Sequence, residues 1–293
     1  MQSRPDFMKK DKVRGELPDT IYYSDELNEE FSPMKIEARK IDENYDYGKS
    51  TFGWKLIRFF LYRIVALPIA AVFLKLKYRH KIVNRRALTK NNKGTGYFVF
   101  ANHTNPVCDA LIPTFVSFPR GVFVIVHPNN VSIPGLGNIT HYLGALPLPD
   151  TLGATKNFMN IIKTRISEHK AVMIYPEAHI WPFYTKIRHF SDLSFRYPVQ
   201  HKVPSFCFTN TYQKRRFSKQ PRIVTYVDGP FYPDESLSSK EQKTELRDRI
   251  YNTMCERAKN SNYEIIKYIK KEPSENENTA ATAGNKAQET SND

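Results

Sequence analysis

Acidic residues are absent from a long stretch of this sequence: residues 51–100 hold eleven Lys or Arg and no Asp or Glu. Cysteine is scarce, with Cys108, Cys207 and Cys255 alone in 293 residues, and their spacing forms no disulfide framework. With no cleavable leader legible at the N-terminus, a reducing, cytoplasmic setting is expected. The chain lacks a G-x-x-x-x-G-K-[ST] loop and a G-x-G-x-x-G turn, which excludes the common nucleotide cradles. His103, His127, His141 and Cys108 lack a zinc-ligand spacing. The net charge of +14 comes with no nucleic-acid-reading motif, so no nucleic-acid partner is expected. There is also no internal repeat.

The charge is unevenly placed. Residues 1–50 hold nine basic and twelve acidic residues, so the basicity is a belt over 51–100. That belt surrounds the most apolar run, Trp54 to Tyr78, interrupted only by Arg58, Arg63 and the closing lysines. A spanning helix needs about 20 apolar residues, and Pro68 stands in the middle of this run. Two short helices hinged at Pro68 and lying in one leaflet, with Trp54 at the interface, are expected. Basic residues beside an anionic bilayer add about 1 kcal/mol each. The expected location is the cytoplasmic face of a membrane, monotopic or single-span.

The remainder alternates strands and helices. Tyr97–Phe100, Gly121–Val126, Ala171–Tyr175, Ser205–Thr209 and Ile223–Val227 read as buried strands. Thr151 caps a helix reaching about His169. Ser238 and Ser239, with Glu241 and Gln242 three residues on, start another by capping-box chemistry, with Leu246, Ile250 and Met254 as its apolar stripe. The fold class is therefore α/β, a central mixed sheet flanked by helices behind the N-terminal membrane-associated segment. The expected divisions are a loosely packed polar extension (1–53), the membrane-associated helical segment (54–80), a catalytic domain (81–271) and a disordered tail (272–293).

Chemistry concentrates where the first core strand ends, at Asn102-His103-Thr104-Asn105-Pro106-Val107-Cys108-Asp109. Pro106 places a turn between His103 and Asp109, so a carboxylate can meet the imidazole. Asp109 would fix the tautomer and raise the basicity of His103, a general base for a hydroxyl. Cys108 precedes an apolar segment and reads as buried rather than nucleophilic. Strand Ala171–Tyr175 runs directly into Pro176-Glu177, which puts Glu177 at the sheet rim.

Together these stretches resemble the glycerolipid acyltransferase family, in particular the lysophosphatidate (1-acyl-glycerol-3-phosphate) acyltransferases. The family's Asn-His-x-Ser-x-x-Asp is approximated by Asn102 to Asp109, with one extra residue between His103 and Asp109. Its second motif is matched by Pro134–Gly137 and Gly144–Asp150. Phe-Pro-Glu-Gly-Thr-Arg is met by Tyr175 to Ile180, and the apolar Val-Pro stretch by Val203-Pro204-Ser205-Phe206. The resemblance covers roughly residues 54–255. Asp150 and Ile180 stand where the family has arginines, and Ala178-His179 where it has Gly-Thr.

The resemblance implies a membrane-associated O-acyltransferase in which a lipid hydroxyl attacks an acyl thioester of CoA or acyl carrier protein. His103 and Asp109 would be catalytic, and Glu177 would position the acceptor or pin the loops of the site. Lys186 and Arg188, two apart and so on one side of an extended segment, would replace the missing arginines at an acceptor phosphate. No metal or resident cofactor is required. For a neutral or glycolipid acceptor, His179 and Trp181 would be site-wall residues, Trp181 stacking on a sugar face; the other reading of Trp181 is a buried structural side chain. The alternative class is a non-catalytic lipid-binding or membrane-tethering protein of the same fold. The expected partners are an anionic membrane surface, the lipid acceptor and the acyl donor.

Overall fold

The computed structural model describes residues 18–32, 36–47, 51–90 and 94–271. The tail expected to be disordered, 272–293, lies outside them. Nine strands occur among the described residues: β1 (Thr20–Tyr23), β2 (Lys81–Val83), β3 (Tyr97–Ala101), β4 (Val122–Val126), β5 (Ala145–Pro147), β6 (Ala171–Ile174), β7 (Ser205–Arg215), β8 (Ser218–Phe231) and β9 (Lys267–Lys270). The described residues divide into a small unit, residues 18–29 with 265–271, and a large one within 30–264. In the small unit β1 and β9 pair in parallel, Thr20 opposite Lys267.

The large unit is built on a seven-stranded sheet in the order β2-β8-β7-β3-β6-β4-β5. All its pairings are parallel except β7 with β8. The central strands β3 and β6 are buried along their length, as continuous apolar runs covered on both faces must be. One face holds Phe98, Phe100, Val172 and Cys207 with the helices Leu152–Ser167 and Ser239–Ala258. The other holds Val99, Ala101, Met173 and Phe208 with Cys108–Ser117 and Leu74.

Helix Leu152–Ser167 is capped by the Thr151 side chain. Helix Ser239–Ala258 starts with the full capping box of Ser238 and Glu241 and buries Leu246, Ile250 and Met254. Strands β7 and β8 run well past the stretches legible from hydrophobicity, because their outer halves carry polar side chains.

The apolar run forms one helix, Phe52–Tyr78, 27 residues and about 40 Å long, rather than two hinged pieces. Between Phe59 and Ala66 its turns widen, and the Leu67 N–H reaches back five residues to the Tyr62 carbonyl. This widening just before Pro68 accommodates a residue that has no N–H and whose ring crowds the preceding turn. Trp54, Arg58, Tyr62, Ala70, Leu74 and Tyr78 turn inward along the whole length. Trp54 is therefore buried, stacked on Tyr142, and not at an exposed interface. Arg58 donates to the carbonyls of Tyr142 (2.5 Å) and Val122 (3.2 Å), and Arg63 to that of Pro119. With Arg58 buried and Arg63 half-buried against Pro119, every fully exposed residue from Leu56 to Leu74 is apolar.

The polar extension is not loose where it is described. Ile41 is fully buried and Tyr47 nearly so, its hydroxyl donating to the Pro147 carbonyl (3.1 Å). Isolated anchors in a charged background gave this segment no periodic signal.

Candidate active site

β3 and β6 are adjacent parallel strands, and the two motif loops leave their C-terminal ends, the edge where α/β sheets place their sites. Past Ala101, Asn102 locks the exit of β3 to β7: its side chain donates to the Asn210 carbonyl (3.0 Å) and accepts the Asn210 N–H (2.8 Å). His103 follows, and the chain turns at Pro106-Val107 before the helix Cys108–Ser117. At the start of that helix the Asn105 side chain accepts the Cys108 N–H at 3.0 Å. Asp109 lies in the first turn of the helix, and its carboxylate faces back onto the turn.

The turn closes the pair. His103 Nδ1 lies 2.8 Å from Asp109 Oδ2. The same oxygen accepts the backbone N–H groups of Thr104 and Asn105 at 2.9 Å each. Three donors converging on one buried oxygen suit an acceptor-only carboxylate. Nδ1–H donating to Asp109 leaves Nε2 as the basic nitrogen, on a side chain 25% exposed against 3% for Asp109. Tyr175 stacks on the imidazole (4.5 Å between centroids) and donates to the Asp109 carbonyl at 2.6 Å. Burial drives the Tyr175 phenol well above its ordinary range, so it stays a neutral donor. The extra residue between His103 and Asp109 is absorbed by the Pro106 turn.

Glu177 braces this loop from the neighbouring strand. It is buried, and its two oxygens accept the N–H groups of His103 (3.0 Å) and Arg188 (3.1 Å). Burial pushes its carboxyl up, while the Arg188 charge and the two N–H donors pull it back. Glu177 thus joins the His103 loop to the segment carrying Arg188. The Trp181 N–H donates to the His103 carbonyl (3.2 Å) and that of Phe183 to Thr104 (2.8 Å), which stitches the two loops further.

Arg188 is not where an acceptor phosphate could reach it. Its side chain is 1% exposed, 3.5 Å from the Glu177 carboxylate, bonded to the Glu177 and His179 carbonyls and stacked on Trp181 at 4.9 Å. Lys186 is exposed, so the two cations do not share a side. The segment curls around Glu177 instead of staying extended, and the Arg charge follows the buried carboxylate. Trp181 is fully buried under that guanidinium and forms no open wall. His179 is partly exposed and meets the Glu30 carboxylate at 3.3 Å.

The two positions that depart from the family arginines have found other work. Asp150 accepts the Ile41 N–H at 2.7 Å and donates its own N–H to the Ile41 carbonyl at 3.0 Å. Ile180 is buried, gives its N–H to Glu30 (3.0 Å) and accepts the Phe31 N–H (3.2 Å). Both hold the N-terminal segment onto the sheet, which sequence reasoning missed because the partners lie over a hundred residues away. Ala178 adopts φ 62°, the left-handed conformation that favours glycine, so the loop keeps a glycine-like backbone without the glycine. Pro134, Gly135 and Gly137 line a cavity of about 480 Å3 with Glu37 to Arg39, whose walls include neither His103 nor Asp109. Cys108 is fully buried and burial raises its thiol, which removes it as a nucleophile.

No family model and no curated protein matches the chain. Among solved structures it is similar to the crystal structure of the 1-acyl-sn-glycerophosphate (LPA) acyltransferase PlsC from Thermotoga maritima. The identity is 17%, the match covers 71% of this chain and 88% of that one, and the TM-score is 0.49.

Proposed function

We propose that this chain is a membrane-surface O-acyltransferase that moves an acyl group from a thioester of CoA or acyl carrier protein to a lipid hydroxyl. The observation that carries the reading is the His103–Asp109 pair, with Nδ1 held at 2.8 Å and Nε2 left to act at the C-terminal edge of the sheet. In the reaction Nε2 takes the hydroxyl proton as the oxygen attacks the thioester carbon. The C–O bond forms, the C–S bond breaks, and the imidazolium returns the proton to the leaving thiolate. Asp109 holds the tautomer throughout and offsets the charge on the imidazolium. General-base assistance of this kind contributes about 10²–10⁴ in rate, and binding in a near-attack geometry supplies much of the rest.

The apolar helix supports the membrane part of the reading. It is long and apolar enough to cross a bilayer by length and composition. Its inner face, however, is taken by the domain along its whole length, and its outer face from Leu56 to Leu74 is uncharged. A helix so held lies in the plane of the membrane with one face immersed, so the monotopic arrangement is favoured. Replacing exposed Ile64, Ile69 and Val72 together by Ser should weaken binding to vesicles by a hundredfold or more, at roughly 1.5–3 kcal/mol per buried apolar side chain, with the melting temperature unchanged. Vesicle binding at the wild-type level would remove the helix from the membrane contact.

The acceptor is read as a lysophospholipid-type molecule. A second reading, a neutral or glycolipid acceptor, is favoured by one observation: Arg188 is buried on Glu177, which leaves Lys186 alone of the two expected phosphate partners. Competition between lysophosphatidate and a neutral monoacyl acceptor decides between them. If Lys186 holds a phosphate, Lys186→Ala should raise the KM for lysophosphatidate about tenfold or more, since a charge-assisted bond is worth roughly 1.5–3 kcal/mol, and leave the neutral acceptor unaffected. Preference for the neutral acceptor, unmoved by the substitution, would establish the second reading.

A further inference from the structure

The β7–β8 hairpin reaches beyond the edge that carries the candidate site. β7 is parallel to β3, with Phe208 opposite Ala101. β3 stops there, while β7 continues to Arg215, about 20 Å further at roughly 3.3 Å per residue. The turn is Arg216-Phe217, with Arg215 opposite Ser218. Two-residue hairpin turns normally call on Asn or Gly for positive φ. Here a register shift between Gln213 and Arg215 accommodates the turn, and neither turn residue is left-handed. Nothing in the turn geometry therefore asks for an aromatic residue, yet Phe217 sits at the tip, 89% exposed.

Along the hairpin itself the charges around Phe217 are of one sign. Lys214, Arg215, Arg216, Lys219 and Arg222 flank it, and no Asp or Glu occurs from Thr209 to Val227. The Arg216 guanidinium lies over the Phe217 ring at 5.0 Å. Arg215 donates to the Lys77 carbonyl at 2.9 Å, which fastens the hairpin to the end of the apolar helix beside exposed Leu76, with exposed Val72 and Ile69 one to two turns further back. Tyr78, in the same helical turn, is buried in one cluster with Ala101 and Cys108, which bracket the His103 loop, and the Tyr212 hydroxyl of β7 meets that of Thr104 in the same loop at 2.8 Å. Hairpin tip, helix end and candidate catalytic loop are thus neighbours.

We infer that the hairpin tip is a second membrane anchor, in which Phe217 enters the headgroup–acyl boundary and its ring of cations meets the phosphates of anionic lipids. An exposed aromatic with a basic collar, continuous with an exposed apolar helix face, has the chemistry of an anionic bilayer surface. The anchor would hold the edge bearing His103 against the membrane that contains its acceptor. The inference rests on the membrane-surface part of the proposed function and not on acyl transfer.

The test uses the full chain and vesicles of phosphatidylcholine with or without phosphatidylserine, read by co-sedimentation. Phe217→Ser should weaken binding to the anionic vesicles about tenfold or more. Lys214→Ala, Arg216→Ala and Lys219→Ala together should weaken it about 100-fold, and binding to neutral vesicles much less. A Phe217→Trp protein should show an added fluorescence component quenched by brominated lipid, which reports insertion directly even if the other variants lose stability. Wild-type binding by the Ser and Ala variants, together with no lipid quenching of the added fluorescence in the Phe217→Trp protein, would overturn the inference. So would wild-type protein that ignores the anionic lipid. Unchanged vesicle binding with lost affinity for an acidic carrier protein would overturn it in favour of a protein-docking hairpin. None of these readouts involves turnover, so a failure of the acyltransferase reading leaves them interpretable.

Discussion

His103→Ala is expected to lower acyl transfer by a factor of about 10²–10⁴ while the protein remains folded, because the imidazole is partly exposed and the loop is held through its backbone by the Glu177 carboxylate and the N–H groups of Trp181 and Phe183. Asp109→Asn should come close to the same loss. An Asn side chain can still accept the Thr104 and Asn105 N–H groups that Asp109 Oδ2 now takes, but it no longer offsets the imidazolium or fixes the tautomer as a carboxylate does. The measurement is steady-state turnover of purified protein on vesicles, with circular dichroism as the folding control. Wild-type turnover in His103→Ala would remove the imidazole from the mechanism.

Arg188→Met is expected to cost about 3–5 kcal/mol of stability, the usual consequence of leaving one member of a buried ion pair behind. The stranded group is Glu177, whose carboxylate joins the His103 loop to the segment around Arg188. Activity should fall with stability, because the brace on His103 loosens. Urea denaturation measures the loss, and Lys186→Ala, on an exposed side chain, serves as the neutral comparison. An Arg188→Met protein of unchanged stability that had lost affinity for a phosphorylated acceptor alone would return Arg188 to a binding role.

The parts legible in the sequence were those carried by local chemistry. β3 and β6 are short apolar runs that admit no alternative to burial, and the Thr151 and Ser238 caps announce their helices from adjacent residues. The approach of Asp109 to His103 follows from Pro106, which forbids a continuous helix between them. What stayed hidden depends on distant partners. Arg188 reads as a surface cation until Glu177 is placed beside it. The segment around Ile41 reads as loose until Asp150 and Pro147 are found under it. The outer half of the hairpin carries too many charges to register as strand, although its ladder runs from Ser205 opposite Phe231 to Arg215 opposite Ser218. Pro68 signals a hinge by itself, yet five-residue hydrogen bonding ahead of it keeps the helix continuous.

The central claim is acyl transfer to a lipid hydroxyl, and acceptor-dependent thiol release tests it most directly. Purified wild-type protein is placed on anionic vesicles with a long-chain acyl-CoA, or with acyl carrier protein bearing the same chain. The free thiol is then followed as a lysolipid acceptor is added. The account predicts release that rises with acceptor, matches the newly formed ester lipid one for one and collapses in His103→Ala. Protein that binds the vesicles but releases no thiol with either donor, whatever hydroxyl acceptor is offered, would contradict it and leave a lipid-binding protein in its place.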